Sequence, residues 1–364
     1  MAGIDPSPLP KGEGKQRLAA EQSSARSQGR RAWTRFGPLL ALAALVIVTS
    51  IFNPRFLTPA NLLNILHAWS FVGLLAVGMT VVIISGGMDL SVGSLVALAG
   101  GVGVLTVNAA GNFGQSSTPQ SLHEGPAVLA ACAVTLAVGA AAGFVNGQLV
   151  TLGRVAPFVA TLGGLAAFRS LALALADGGE FRSLSFNLFP RLGSGGLPLP
   201  FLTTQYGQTL ALPWPVIVLA LAAALVHLLL NWTPFGRYVY AIGCNERAAV
   251  YAGVPVARVK VAAYTLLGLL TGLAALLNAS RMNSVSSAQT GLMWELDAIA
   301  AVVIGGTRMT GGTGSVWGTL IGLLLLGVIG NMLNLLQISP YLQGLVKGLI
   351  IVAAVLIQRG KREE

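Results

Sequence analysis

The chain has 364 residues, of which 54% are hydrophobic and 9% charged, and its mean hydropathy is +0.75. Soluble domains carry about 25% charged residues, so this composition excludes a soluble globular protein; it fits an all-α, polytopic membrane protein of about ten transmembrane helices with broken Gly-rich segments, at roughly 20 residues per span. The net charge of +10 does not point to nucleic acid, because Lys and Arg gather in the tails and a few loops, where they set membrane orientation.

Residues 1–36 are polar and basic, an expected disordered cytoplasmic tail. A transmembrane domain is expected over 37–358 and a short cytoplasmic tail over 359–364. The first span runs over about 37–52 and the second over about 63–84, ending at the Gly-rich stretch Ser85–Ser94. The third covers about 92–110. The loop 111–125 has no Lys or Arg and is expected outside, where positive charge is depleted. The fourth span, about 126–149, carries Gly139, Gly143 and Gly147 on one helix face, a surface for close helix contact. Arg154 marks an inner turn, and the fifth span covers about 158–176. The long Gly/Pro-rich loop 177–213 shows little helical period and is expected outside.

After a sixth span over about 215–231 comes the polar island Trp232–Lys260, with Arg237, Arg247, Arg258 and Lys260 against one acid, Glu246. Asn245 can cap a short helix there, Glu246 sits in its first turn, and Gly253 followed by Pro255 stops it. Such a capped helix between two spans is either a handle for another protein or a positive loop that fixes topology. The seventh span, about 261–279, repeats the Gly pattern at Gly268 and Gly272. The loop after it has one basic residue, Arg281. A short eighth span starts at Glu295 and Asp297 and ends in a Gly-rich turn carrying Arg308; spans over about 316–335 and 342–357 follow. The stretches VVIISGGMDLSVGS and VVIGGTRMTGGTGS echo one another, as repeats in transporters do.

The chain lacks a G-x-x-x-x-G-K-[ST] phosphate loop and an H-E-x-x-H site, so it does not bind ATP by that route, and no catalytic residues, metal or cofactor are expected here. Cys132 and Cys244 form no disulfide framework, and His67, His123 and His227 are scattered. Ionisable residues at membrane depth are functional candidates: Asp89, Arg169, Glu295, Asp297 and Lys347. Each has a plainer use. Asp89 either caps the following helix or lines a pathway. Glu295 and Asp297 either cap a short span or line a pathway mouth. Lys347 pairs with a carboxylate or reaches the interface, and Arg169 pairs with Asp177 or lies near the outer surface. The breaks at Gly86–Gly87, Gly305–Gly306 and Gly311–Gly312 are pathway backbone or simple interfacial turns.

Five motifs in one order carry a resemblance: GGMDLSVGS (Gly86–Ser94), GRVAPFVATLGG (Gly153–Gly164), TPFGRYVYAIGCNERAAVYAGV (Thr233–Val254), ELDAIAAVVIGGT (Glu295–Thr307) and GGTGSVWGTLIG (Gly311–Gly322). Across about 53–357 the chain resembles the inner-membrane permease subunits of bacterial ABC importers for ribose, xylose, galactofuranose and related monosaccharides. It departs where Met332 follows Asn331 and where Arg308-Met309 replaces a small residue and Leu. The resemblance implies a pore formed with a second permease copy or a paralogue, ATPase subunits inside, a periplasmic or lipid-anchored sugar-binding protein outside, and cytoplasmic termini. It also implies that Gly243, Asn245, Glu246, Arg247, Ala248, Ala249 and Gly253 form the ATPase-coupling loop. Gly86, Gly87, Asp89, Ser91, Glu295 and Asp297 are the expected pathway or gate. Nucleoside or branched-chain amino-acid ABC permeases share this layout. An ion-coupled symporter would need a carboxylate relay for which only Asp89 is available, and an enzyme acting on a lipid-linked sugar would need more acids than Glu295 and Asp297.

Overall fold

The structure, a computed structural model, describes residues 39–111, 121–203, 209–339, 342–346 and 348–349. The expected tails 1–36 and 359–364, most of the loop 111–125, Lys347 and most of the last expected span lie outside the described residues. The helices are α1 (Leu39–Phe52), α2 (Pro59–Ile84), α3 (Val92–Gly111), α4 (Ser121–Thr151) and α5 (Pro157–Leu175). Then come α6 (Leu188–Ser194), α7 (Trp214–Trp232), α8 (Pro234–Cys244), α9 (Glu246–Tyr251), α10 (Val256–Met282), α11 (Trp294–Ile304) and α12 (Val316–Leu335). Among the described residues, seven are long and apolar enough to cross a membrane: α2, α3, α4, α5, α7, α10 and α12. α1 is shorter, and α11 has only 11 residues. At 1.5 Å per residue α11 reaches about 16 Å, roughly half the hydrocarbon thickness.

α2 forms the axis of the bundle. Every residue from Ser70 to Ile84 is buried, with α7, α10, α11 and α12 packed around it. A helix apolar on all sides belongs in such a place. Its start is set by Thr58, whose hydroxyl accepts the Asn61 N–H, and by Pro59 in the first turn. Thr80 ties it to α12 through Thr319 at 2.7 Å.

The two Gly faces read from the sequence meet each other. A side chain at Gly139 would overlap the Gly268 carbonyl, and one at Gly268 would overlap the Gly139 carbonyl. α4 and α10 therefore cross with backbone against backbone.

The loop 177–213 holds structure that its lack of helical period concealed. Three short strands in it and a fourth after α10 form two antiparallel pairs: β1 (Glu180–Arg182) with β4 (Ser284–Ser286), and β2 (Gly196–Thr203) with β3 (Thr209–Pro213). Glu124 secures the segment between β1 and β2. Its buried carboxylate accepts from the Ser185 hydroxyl and from the N–H groups of Asn187 and Leu188, at the start of α6.

Candidate functional site: a break in the bundle and the segments that hold it

α2 ends at Ile84, and the chain turns through Gly86, which has φ +81°, before α3 begins. Only Gly adopts that conformation without strain. Gly87 lies against Val82 and the Tyr264 hydroxyl. That hydroxyl donates to the Met88 carbonyl at 3.0 Å and accepts the Met88 N–H at 3.2 Å, so α10 holds the break at both its polar atoms.

Asp89 is 3% exposed and Ser91 fully buried. One carboxylate oxygen of Asp89 accepts the Ser91 N–H at 2.8 Å and the Ser91 hydroxyl at 2.6 Å; the other accepts the Asn146 amide of α4 at 3.1 Å. Asn146 also donates to the Ser91 hydroxyl at 2.9 Å. Of the two uses open to Asp89, capping is therefore not the ordinary kind. It folds the backbone back two residues on and anchors that turn to α4 across the bundle. A buried carboxylate needs such donors. Asn146, a polar residue inside an apolar span, is the partner the sequence reading passed over.

The same turn of α3 meets α11. The Glu295 carboxylate and the Gly291 carbonyl occupy the space a side chain at residue 93 would fill. Glu295 and Asp297 lie in the first turn of α11, where anionic groups complement the helix dipole. Neither is the cap residue: Met293 is, in a left-handed conformation. The backbone of 287–293, between β4 and α11, therefore packs beside the start of α3. Arg169 of α5 holds it, donating through one guanidinium nitrogen to the carbonyls of Ser287 at 2.8 Å and Thr290 at 3.0 Å. Pairing of Arg169 with Asp177 is not what the structure shows. Its other charged neighbour is Glu295, across a gap rather than in direct contact. Gly164, five residues earlier on α5, lies against Asn146 and Ser91. Thus Asp89, Ser91, Glu295 and the glycines of the break share one locality, with Asn146 and Arg169 added.

On its other side the break meets the polar island. The Ile84 carbonyl accepts the Gly312 N–H at 2.9 Å. Gly243, near the end of α8, packs so closely that a side chain would overlap both the Ile84 carbonyl and Gly312. Tyr240 donates to the Gly314 carbonyl at 2.9 Å. The two echoing stretches therefore end against each other, and Gly305–Gly312 is a tight turn with φ +94°, +85° and +76° at Gly306, Gly311 and Gly312.

α9 follows directly. Asn245 caps it, its side chain accepting the Ala248 N–H at 3.0 Å, and Gly253 ends it at φ +77°. Glu246 pairs with Lys260 of α10 at 2.8 Å. Ala249 is buried beneath, while Arg247, Ala248 and Val250 are exposed and Tyr251 is 91% exposed. The exposed Val250–Tyr251 pair was not singled out from sequence; its signal was an apolar and an aromatic residue inside an otherwise polar island.

The family profile described as "Branched-chain amino acid transport system / permease component" matches residues 61–355. The chain belongs to this permease family. It is 42% identical to the Ribose import permease protein RbsC of Bacillus subtilis (strain 168) over 328 residues, 90% of this chain and 93% of that one. Identity is 39% to the Ribose import permease protein RbsC of Escherichia coli (strain K12), over 89% of this chain and 93% of that one. The L-arabinose transport system permease protein AraH of Escherichia coli (strain K12) is 35% identical, over 92% and 93%. No solved structure matches the chain. This permease is thus a multi-pass inner-membrane subunit of the monosaccharide ABC-importer type, a transporter component and not an enzyme. Such components work with an ATPase and a substrate-binding partner.

Proposed function

We propose that this permease carries a pentose of the ribose or arabinose kind across the membrane, pairing with a second copy or a paralogue and keeping both termini in the cytoplasm. ATPase subunits bind α9, with Gly243, Asn245, Glu246, Arg247, Ala248, Ala249 and Gly253 forming the coupling element. Gly86, Gly87, Asp89, Ser91, Glu295 and Asp297 form the pathway or gate. A sugar-binding protein delivers the solute from outside.

The observation that carries this reading is the joint at Ile84. There the end of α8, the 305–312 turn and the last carbonyl of α2 meet without a side chain between them. A push on α9 reaches the Asp89 turn through stiff backbone contacts, and close-packed interiors transmit strain. The short capped helix, with Tyr251 outermost, suits an aromatic anchor in a partner's pocket. The names of the similar permeases support a pentose as the solute.

The test is uptake of labelled D-ribose, L-arabinose and L-leucine into vesicles holding the permease, its ATPase and its binding protein, alongside co-purification of the ATPase. The expected result is ATP-dependent pentose uptake, with Tyr251→Ala and Gly253→Pro losing the ATPase while the permease stays in the membrane. Leucine uptake would replace the sugar reading with the amino-acid one. Normal transport by both variants would remove α9 from the coupling role.

A further inference from the structure

We infer that Arg281 and Trp294 form a sugar-contacting site at the two ends of the segment joining α10 to α11. Arg281 closes α10 and Trp294 opens α11. Both lie beside Phe71 of α2: the Arg281 guanidinium is 5.6 Å from the Phe71 ring centre, and the Trp294 ring stacks on Phe71 at 6.3 Å and 20°. His67, one turn earlier on α2, meets the same ring at 5.9 Å and bonds through its Nε2 to the Gly193 carbonyl at 2.8 Å. Phe71 itself is 1% exposed, so it serves as the fixed floor. Arg281 and Trp294 are only partly buried and form the open surface.

The chemistry of this cluster is that of a polyhydroxyl ligand. An Arg guanidinium offers five donors in a planar fork. Arg169 commits one guanidinium nitrogen to the carbonyls of Ser287 and Thr290. Among the described residues Arg281 makes no hydrogen bond or ion pair; its guanidinium lies over the Phe71 ring face and acts electrostatically on His67. A partly buried charge keeps such freedom at a cost. Two adjacent hydroxyls of a neutral monosaccharide match the fork, and the apolar C–H face of a sugar ring matches an indole. No anion is required, and Glu295, next along from Trp294, would oppose one. Weak contact of this kind suits a path that must release its solute. Arg281 and Trp294 stand at the two ends of the connection that contains the 287–293 segment clamped by Arg169, so a sugar between them would touch both ends of that connection.

This inference rests on the monosaccharide reading. It is tested in the assembled transporter, in vesicles with its ATPase and binding protein, using labelled D-ribose and L-arabinose as probes. The variants are Arg281→Lys, Arg281→Gln and Trp294→Phe, with sugar imported per ATP hydrolysed as the readout. Lys preserves the charge at the end of α10, where a cation favours the helix dipole, but not the planar fork. A purely structural Arg281 would therefore be rescued by Lys. The expected result is at least a fivefold fall in sugar imported per ATP for both Arg281 variants and about a twofold to threefold fall for Trp294→Phe, with membrane content unchanged. Wild-type coupling in Arg281→Lys would overturn the inference alone. A wild-type transporter that imports neither pentose nor any other monosaccharide would overturn the underlying reading and the inference with it.

Discussion

The break between α2 and α3 is held from two sides by different materials. At Ile84 the joint is made of backbone: Gly243, Gly311 and Gly312 bring chain against chain with no side chain to yield. At Arg169 the hold is made by a long side chain reaching two carbonyls of a non-helical segment. A backbone joint transmits displacement and tolerates almost no change. A side-chain clamp can let go and re-form, because a guanidinium has alternative rotamers and acceptors. On the proposed function, stiffness falls on the side that receives force and adjustability on the side that passes the solute.

The largest expected effect breaks the stiff side. Gly243→Ala puts a methyl group into the Ile84 carbonyl and the Gly312 backbone; overpacking of this kind costs about 1–3 kcal/mol or more. ATP-dependent uptake is expected to fall by at least tenfold with the protein still in the membrane. Near-normal uptake would mean that the joint is not under load. Next comes the network between the two sides. Asn146→Ala removes the amide that one Asp89 oxygen and the Ser91 hydroxyl rely on, at about 1–3 kcal/mol for a buried acceptor left unpaired. Its thermal midpoint in detergent should drop by several degrees; an unchanged midpoint would show that water replaces the amide.

Smaller effects sharpen the contrast. Arg169→Lys keeps the charge, but its shorter side chain does not carry an ammonium to the place between Ser287 and Thr290 that one guanidinium nitrogen holds. Protease cutting or hydrogen exchange across 287–291 should rise severalfold while the α8–turn contact is unaffected. Asn245→Ala removes the α9 cap, worth about 1 kcal/mol, and should reduce ATPase retention severalfold. Glu246→Gln should do least, since its pair with Lys260 is half exposed and such pairs contribute about 0–1 kcal/mol. An effect of Glu246→Gln exceeding that of Asn245→Ala would point to direct contact between Glu246 and the partner.

Local rules made much of this readable in advance. Asn245 and Gly253 bound α9 because capping and left-handed geometry depend on neighbours in sequence. The Gly faces of α4 and α10 were visible as a spacing, although only the structure pairs them. α12 runs over Val316–Leu335, the range expected from hydropathy. What was hidden depends on distant partners. The acceptors of Arg169 are carbonyls 118 and 121 residues away, and carbonyls have no side-chain signature. β1 and β4 are three residues each and pair across more than a hundred residues of chain, so no local period betrays them. The convergence of Asp89 and Glu295 turns on the absence of a side chain at Gly93, which reads in sequence as one glycine among 46.

α10 links the regions at both ends of the bundle. It starts four residues after Ala252, carries the Tyr264 hydroxyl that holds Met88, and ends beside Arg281. Its 27 residues make a rod about 40 Å long. Lys260, near its start, pairs with Glu246 of α9. A rod of that length pivoted at one end through about 5° sweeps the other end through roughly 3–4 Å, more than the reach of a hydrogen bond. Gly268 and Gly272 set its middle against the backbone of α4. On the proposed coupling role of α9, such a helix would work as a crank, with its handle at α9 and its throw at the end that carries Arg281.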